Sequence, residues 1–193
     1  MWAQTGERYK VQHLILIAFA FWILLTPFVL RHVPRDSRKS LSEHIATTKM
    51  TILVGRLAIS LTALAVLFWY LFWYATLHSN DTQQFLVVAV CVSAMLLANT
   101  PYHKGTTAGR LHDIFAWTYA VLLLPLVITF VVTSDSIFAK VLMTILLTWQ
   151  VIAFGLFLFH KPTRKHFLYY QLSYISAFVF VLLVATYVNL VGA

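Results

Sequence analysis

Six of the eight histidines, His32, His44, His103, His112, His160 and His166, fall in or beside three polar gaps that separate long apolar runs. Imidazole nitrogens with carboxylates close by are a donor set for zinc or another divalent metal. His103, His112 and His160 are the candidate metal ligands, with Glu43, His44 and Asp113 in the same gaps. The same residue types also suit a half-wet membrane interface, and neither an HxxxH nor an HExxH spacing occurs.

The stretch Asn99 to Asp113 concentrates most of the polar chemistry. Gly105 and Gly109 allow a tight path, so that Tyr102, His103 and Arg110 can point inward, and His112 with Asp113 begins the next helix. A carboxylate at a helix start caps free N–H groups and meets the positive end of the helix dipole, which is the structural role expected of Asp113. Its alternative is to orient one of the imidazoles. Arg56 is the one strong charge inside an apolar run. Its side chain either snorkels to the headgroups or offers a bidentate fork to a phosphate or carboxylate. Arg56, Tyr102, His103, Arg110, His112 and Asp113 are therefore the candidate ligand-binding set. Gln150, near the middle of its apolar run, is expected to bond to a neighbouring helix.

The elements that must position these residues are six apolar runs, at about residues 14–30, 50–77, 85–102, 113–133, 138–159 and 167–190. A helix needs ~20 apolar residues to cross a ~30 Å hydrocarbon layer. The pattern predicts an all-α fold, a polytopic transmembrane bundle of six helices forming a single domain over residues 1–193. No run alternates with period 2, which excludes a transmembrane barrel. The third run is interrupted at Asn99, Thr100 and Pro101 and is expected to end early. The first has basic and proline residues after it where a signal-peptide cleavage site would need small ones, so it is expected to be a retained span.

Composition agrees: 61% of the 193 residues are hydrophobic and 10% charged, with a mean hydropathy of +0.81, against ~25% charged in soluble domains. The net charge of +8 is explained by ten Lys and Arg in alternate gaps, so nucleic acid is not an expected partner. By the positive-inside rule, gaps 31–49, 103–112 and 160–166 are cytoplasmic and both termini extracytoplasmic.

Ser40 with Glu43 forms a capping-box pattern, from which one helix is expected to run unbroken from Leu41 to Leu77. Pro125 is expected to kink the fourth span. Trp69, Tyr70, Trp73 and Tyr74, and Tyr169, Tyr170 and Tyr174, read as interfacial aromatic belts. Cys91 stands alone, so an internal disulfide is impossible. No acidic residue or lysine lies deep in a span, which disfavours an ion-coupled transporter and a retinal Schiff base. Facing mid-helix histidines, a P-loop, GxSxG and CxxCH are missing as well.

The Ser40 to His44 stretch before the second span, together with the Asn99 to Asp113 stretch before the fourth, resembles a family of small six-helix membrane proteins of unknown function. That family is distantly similar to autophagy-modulator-type membrane proteins. The resemblance implies a six-helix fold and no particular activity or cofactor. His103 followed by Asp113 is also similar in spacing to part of the pattern of ceramidase and adiponectin-receptor-like membrane hydrolases, which hold zinc with three histidines. Here Asn99 stands where serine is expected, the last span lacks HxxxH, and six spans replace seven. The leading expectation is a non-enzymatic integral membrane protein, without a cofactor, whose cytoplasmic face binds an anionic lipid headgroup or a partner membrane protein. A zinc-dependent lipid hydrolase and an accessory subunit of a larger membrane complex are the alternatives.

Overall fold

The computed structural model describes residues 11–32, 38–78, 80–159 and 166–188. Every regular element among them is helical: α1 (Leu14–His32), a short α2 (Leu41–Ile45), α3 (Lys49–Leu77), α4 (Asp81–Asn99), α5 (Thr107–Thr133), α6 (Ile137–Phe159) and α7 (Phe167–Val188). The helices α3 to α7 are each long and apolar enough to cross a membrane; in α1 the apolar stretch among the described residues is Leu14–Leu25. Sequence neighbours pack together, α1 on α3, α3 on α4, α4 on α5, α5 on α6 and α6 on α7, and α7 closes back onto α1.

In its N-terminal two thirds α3 is sorted by side-chain size, as suits a helix long and apolar enough to cross a membrane. Along α3, Gly55, Ala58, Ala63 and Ala65 are buried, whereas Leu53, Leu57, Leu61, Leu64 and Phe68 are exposed. Hydrocarbon outside is as apolar as leucine, so association depends on close packing, and small residues let helix backbones approach. The exposed leucines recur every three or four residues, one stripe of a 3.6-residue helix.

The expected unbroken helix from Leu41 to Leu77 is not what forms. Ser40 and Glu43 do make the capping box, with Ser40 N–H donating to Glu43 Oε2 at 2.7 Å and Glu43 N–H to Ser40 Oγ at 3.1 Å. After Ile45 the chain breaks, because threonine hydroxyls take over the backbone carbonyls: Thr47 donates to the His44 carbonyl at 2.8 Å and Thr51 to that of Ile45 at 2.7 Å. Thr48 then starts α3 with its own reciprocal bonds to Thr51. Hydroxyls that bond locally to the backbone compete with helix continuation in this way. The freed α2 folds back on α3, with Ile45 lying where a Cβ on Gly55 would be, only 2.5 Å from its side chain.

The second correction concerns the aromatic residues that end α3. Trp69, Tyr70, Trp73 and Tyr74 are buried core residues and not an interfacial belt. They sit at positions i, i+1, i+4 and i+5, one face of the helix, and that face meets the bundle. A π-helical turn at Tyr70–Tyr74 brings Tyr70 and Tyr74 into a stack at 5.8 Å. In α7 Tyr174 is likewise buried, while Tyr169 is exposed as a belt residue would be. Helix α4 ends at Asn99, as the Asn-Thr-Pro interruption requires, and α5 runs through Pro125 without a break.

Candidate functional site

The connection from α4 to α5 builds the site. Pro101 has no N–H to continue α4, and residues 101–103 leave it without regular structure. The chain turns at Lys104 and Gly105, where φ is +83°, a left-handed conformation that favours glycine. Thr106 caps α5, its Oγ1 accepting from Gly109 N–H at 3.1 Å and donating to the His103 carbonyl at 2.7 Å. Gly109 is required by proximity: a Cβ there would collide with the His103 carbonyl.

This path places His112 one and a half turns into α5, 6% exposed, with its Nδ1 2.9 Å from the Thr100 carbonyl. A carbonyl only accepts, so Nδ1 carries the proton. In the neutral ring Nε2 is then a bare acceptor, and it is buried with no partner. Tyr102 meets the His112 ring edge-on at 5.2 Å. His44 on α2 repeats the arrangement, fully buried, with Nδ1 2.8 Å from the Ser40 carbonyl and Nε2 without a partner.

Three cavities meet around Ser42 of α2. One, of about 200 Å³, is lined by Arg56, Tyr102, His103 and His112 together with Ser42, Gly55 and Thr100. It is the basic cavity. A second, of about 310 Å³, lies on the other side of Tyr102 and His112, between α5, α6 and α7. Glu43 and Asp113 stand on its border, and its walls are Trp117, Phe154, Phe157, Phe167, Tyr170 and Tyr174. The third, about 130 Å³, is lined almost wholly by apolar residues of the bundle interior.

Four of the six sequence-derived ligand residues, Arg56, Tyr102, His103 and His112, thus share one cavity. Arg110 does not join them; it is exposed on the first turn of α5. Asp113 borders the aromatic cavity instead. Asp113 also does not cap its helix, because α5 starts six residues earlier, at Thr107, under the Thr106 cap. Nor does it orient His112, whose Nδ1 is held by the Thr100 carbonyl. Of the candidate metal ligands, His103 and His112 line the same cavity and His160 lies outside the described residues. Among the described residues no three His, Cys, Asp or Glu come together to hold a metal ion.

Burial, and then the nearby Glu43 and Asp113 carboxylates, push the Tyr102 phenol above its ordinary range. Gln150 is buried and donates from Nε2 to the Tyr174 carbonyl at 3.1 Å, the interhelical bond expected of it. The sequence reading missed Ser42 and the aromatic walls. Their signal is the small residues Ala116, Ala120 and Ala153, which leave room between bulky neighbours on facing helices.

The chain matches no family model, no curated protein and no solved structure.

Proposed function

We propose that this is an integral membrane protein that threads the bilayer six times, with gaps 31–49, 103–112 and 160–166 in the cytoplasm, and that its basic cavity binds the phosphate of an anionic lipid headgroup. The observation that carries this is the meeting of Arg56, Tyr102 and His103 in one cavity of about 200 Å³. Residues from α3 and from the α4–α5 connection, more than forty positions apart in sequence, supply a guanidinium, an imidazole and a phenol to the same space. A guanidinium gives a phosphate two parallel charge-assisted bonds, and lysine-rich and arginine-rich gaps attract anionic lipid to the surface around it, at ~1 kcal/mol per basic residue. The sixth crossing is α1, whose sequence stays apolar from Leu14 through Leu30.

Titration with dodecyl phosphate, followed by native mass spectrometry of the purified chain, tests the site. Arg56→Gln is expected to weaken binding by about tenfold, the loss of one bidentate charge-assisted contact at a partly exposed position. Equal binding by Arg56→Gln and the parent chain, or equal binding of dodecanol and dodecyl phosphate, would sink the assignment.

A further inference from the structure

The basic cavity and the apolar cavity of the bundle interior adjoin at a common wall, since Ser42, Ile45, Ile59 and Leu97 line both. Three separate elements pass from one cavity to the other in the same order. On α3, Arg56 lines only the basic cavity, Ile59 lines both, and Ala63 and Val66, one and two turns further on, line only the interior one. On α4 the order is repeated from the other end, with Ala98 on the basic side, Leu97 shared, and Ala94, Cys91 and Val90 inside. On α2 it is Ala46, then Ile45 and Ser42, then Leu41. From Arg56 to Val66 the axis of α3 advances by roughly 15 Å at 1.5 Å per residue, so a charged end and an apolar end are stacked along one path into the bundle.

We infer that the ligand of the basic cavity is a phosphate amphiphile with a single alkyl tail, and that the tail passes between Ile45, Ile59 and Leu97 into the interior cavity. The inference rests on phosphate binding at Arg56 and adds the place of the tail. No charged residue is among the described lining residues of the interior cavity. Polar atoms of its wall are turned onto the protein: Trp22 donates from Nε1 to Ser176 Oγ at 3.0 Å, Gln171 Oε1 accepts from Leu41 N–H at 2.8 Å, and Tyr174 donates from its hydroxyl to the Ala120 carbonyl. An ordered water needs about two to four polar partners, so a wall of this kind suits hydrocarbon better than water. At about 130 Å³ the cavity is close to the ~150 Å³ of an apolar cavity that takes up benzene, which is room for about six carbons of one tail and not for two tails. Ala18, Ala63, Ala94 and Ala120 make that room, because their side chains end at Cβ.

Cys91, the only cysteine of the protein, stands on the wall of the interior cavity at 2% exposure and reports on its occupancy. The purified full-length protein is treated with methyl methanethiosulfonate, a small apolar thiol reagent, and the modified fraction is followed by mass spectrometry. Dodecyl phosphate at about ten times its Kd is expected to slow modification of Cys91 about tenfold, whereas inorganic phosphate leaves the rate unchanged. Ala94→Leu, which puts a side chain into the space of the tail, is expected to weaken dodecyl phosphate about tenfold in native mass spectrometry, the loss of roughly two buried CH₂ groups, and to leave butyl phosphate within about twofold. Each readout decides alone, since Cys91 needs no substitution and Ala94→Leu needs no thiol chemistry. If dodecyl phosphate binds in a manner that depends on Arg56 but leaves a reactive Cys91 unprotected, or binds Ala94→Leu undiminished, the tail lies outside the bundle; the inference is overturned and the phosphate site stands. Protection of Cys91 by dodecanol as good as that by dodecyl phosphate, or indifference of dodecyl phosphate to Arg56→Gln, sinks the phosphate site and this inference with it.

Discussion

Near Asn80 and Thr133, Trp69, Tyr70, Trp73, Tyr74 and Phe130 pack ring against ring, whereas at the opposite end Trp117, Phe154, Phe157, Phe167 and Tyr170 stand around a cavity of about 310 Å³. In the first cluster two tyrosines and a glutamine share a hydrogen-bonded network with Thr133, while Trp69 Nε1 is buried without a partner. Tyr74 Oη lies 3.2 Å from Thr133 Oγ1, Gln83 Nε2 donates to the same hydroxyl at 3.3 Å, and Tyr70 donates to Gln83 Oε1 at 3.4 Å. The second cluster surrounds a cavity whose lining includes Glu43 and Asp113, Glu43 Oε2 accepting from Ser40 N–H. Identical residue types therefore fill a core at one end and line a cavity at the other. Close ring packing makes a clamp on α3, α4 and α5, and looser packing leaves a receptacle between α5, α6 and α7.

Truncation separates the two ends most sharply. Trp69→Ala is expected to destabilise the chain by about 3 kcal/mol or more, the cost of a large void at a fully packed site, seen as a lowered unfolding temperature in detergent. Phe157→Ala, at a half-buried wall, is expected to cost only about 1 kcal/mol. If Phe157→Ala destabilises as much as Trp69→Ala, the contrast between clamp and receptacle is wrong. Gly55→Val comes next, at about 1–3 kcal/mol, because its side chain occupies the place of Ile45. Hydrogen exchange is expected to quicken in Leu41–Ile45 and not in α4; unchanged protection would refute the packing of α2 on Gly55.

The smallest effect is a titration. The Tyr102 phenol ionises later than an ordinary tyrosine, so the folded state holds its proton where the unfolded chain, near pH 10, has begun to lose it. Its contribution to stability is therefore complete below pH 10 and is lost as pH rises from there through the raised value in the fold. The difference in ultraviolet absorbance between the parent chain and Tyr102→Phe reads this directly. Asp113→Asn is expected to shift it back toward the ordinary range.

The helices were legible because each long apolar run must satisfy its own backbone in lipid, and the stop at Asn99 to Pro101 because proline cannot continue the ladder. The break after Ile45 was not, since Thr47, Thr48 and Thr51 read equally well as polar helix residues until their hydroxyls are seen bonding to the chain. Trp69 to Tyr74 were misjudged for a related reason: periodicity puts them on one face without saying whether that face meets lipid or protein. Of the candidate site, Arg56, Tyr102, His103 and His112 could be singled out by residue type, because charge and imidazole are conspicuous in an apolar chain. The aromatic receptacle could not, because a phenylalanine that lines a hollow and one that fills a core are spelled alike.

Ser42 borders all three cavities, and it stands on a helix of only five residues that is fastened by Gln171 at its start and by Ile45 over Gly55 at its end. Leu41–Ile45 is thereby a party wall between three rooms. A shift of this wall toward one room would change the shape of the others, and thermodynamic linkage requires any influence carried that way to act with equal strength in both directions.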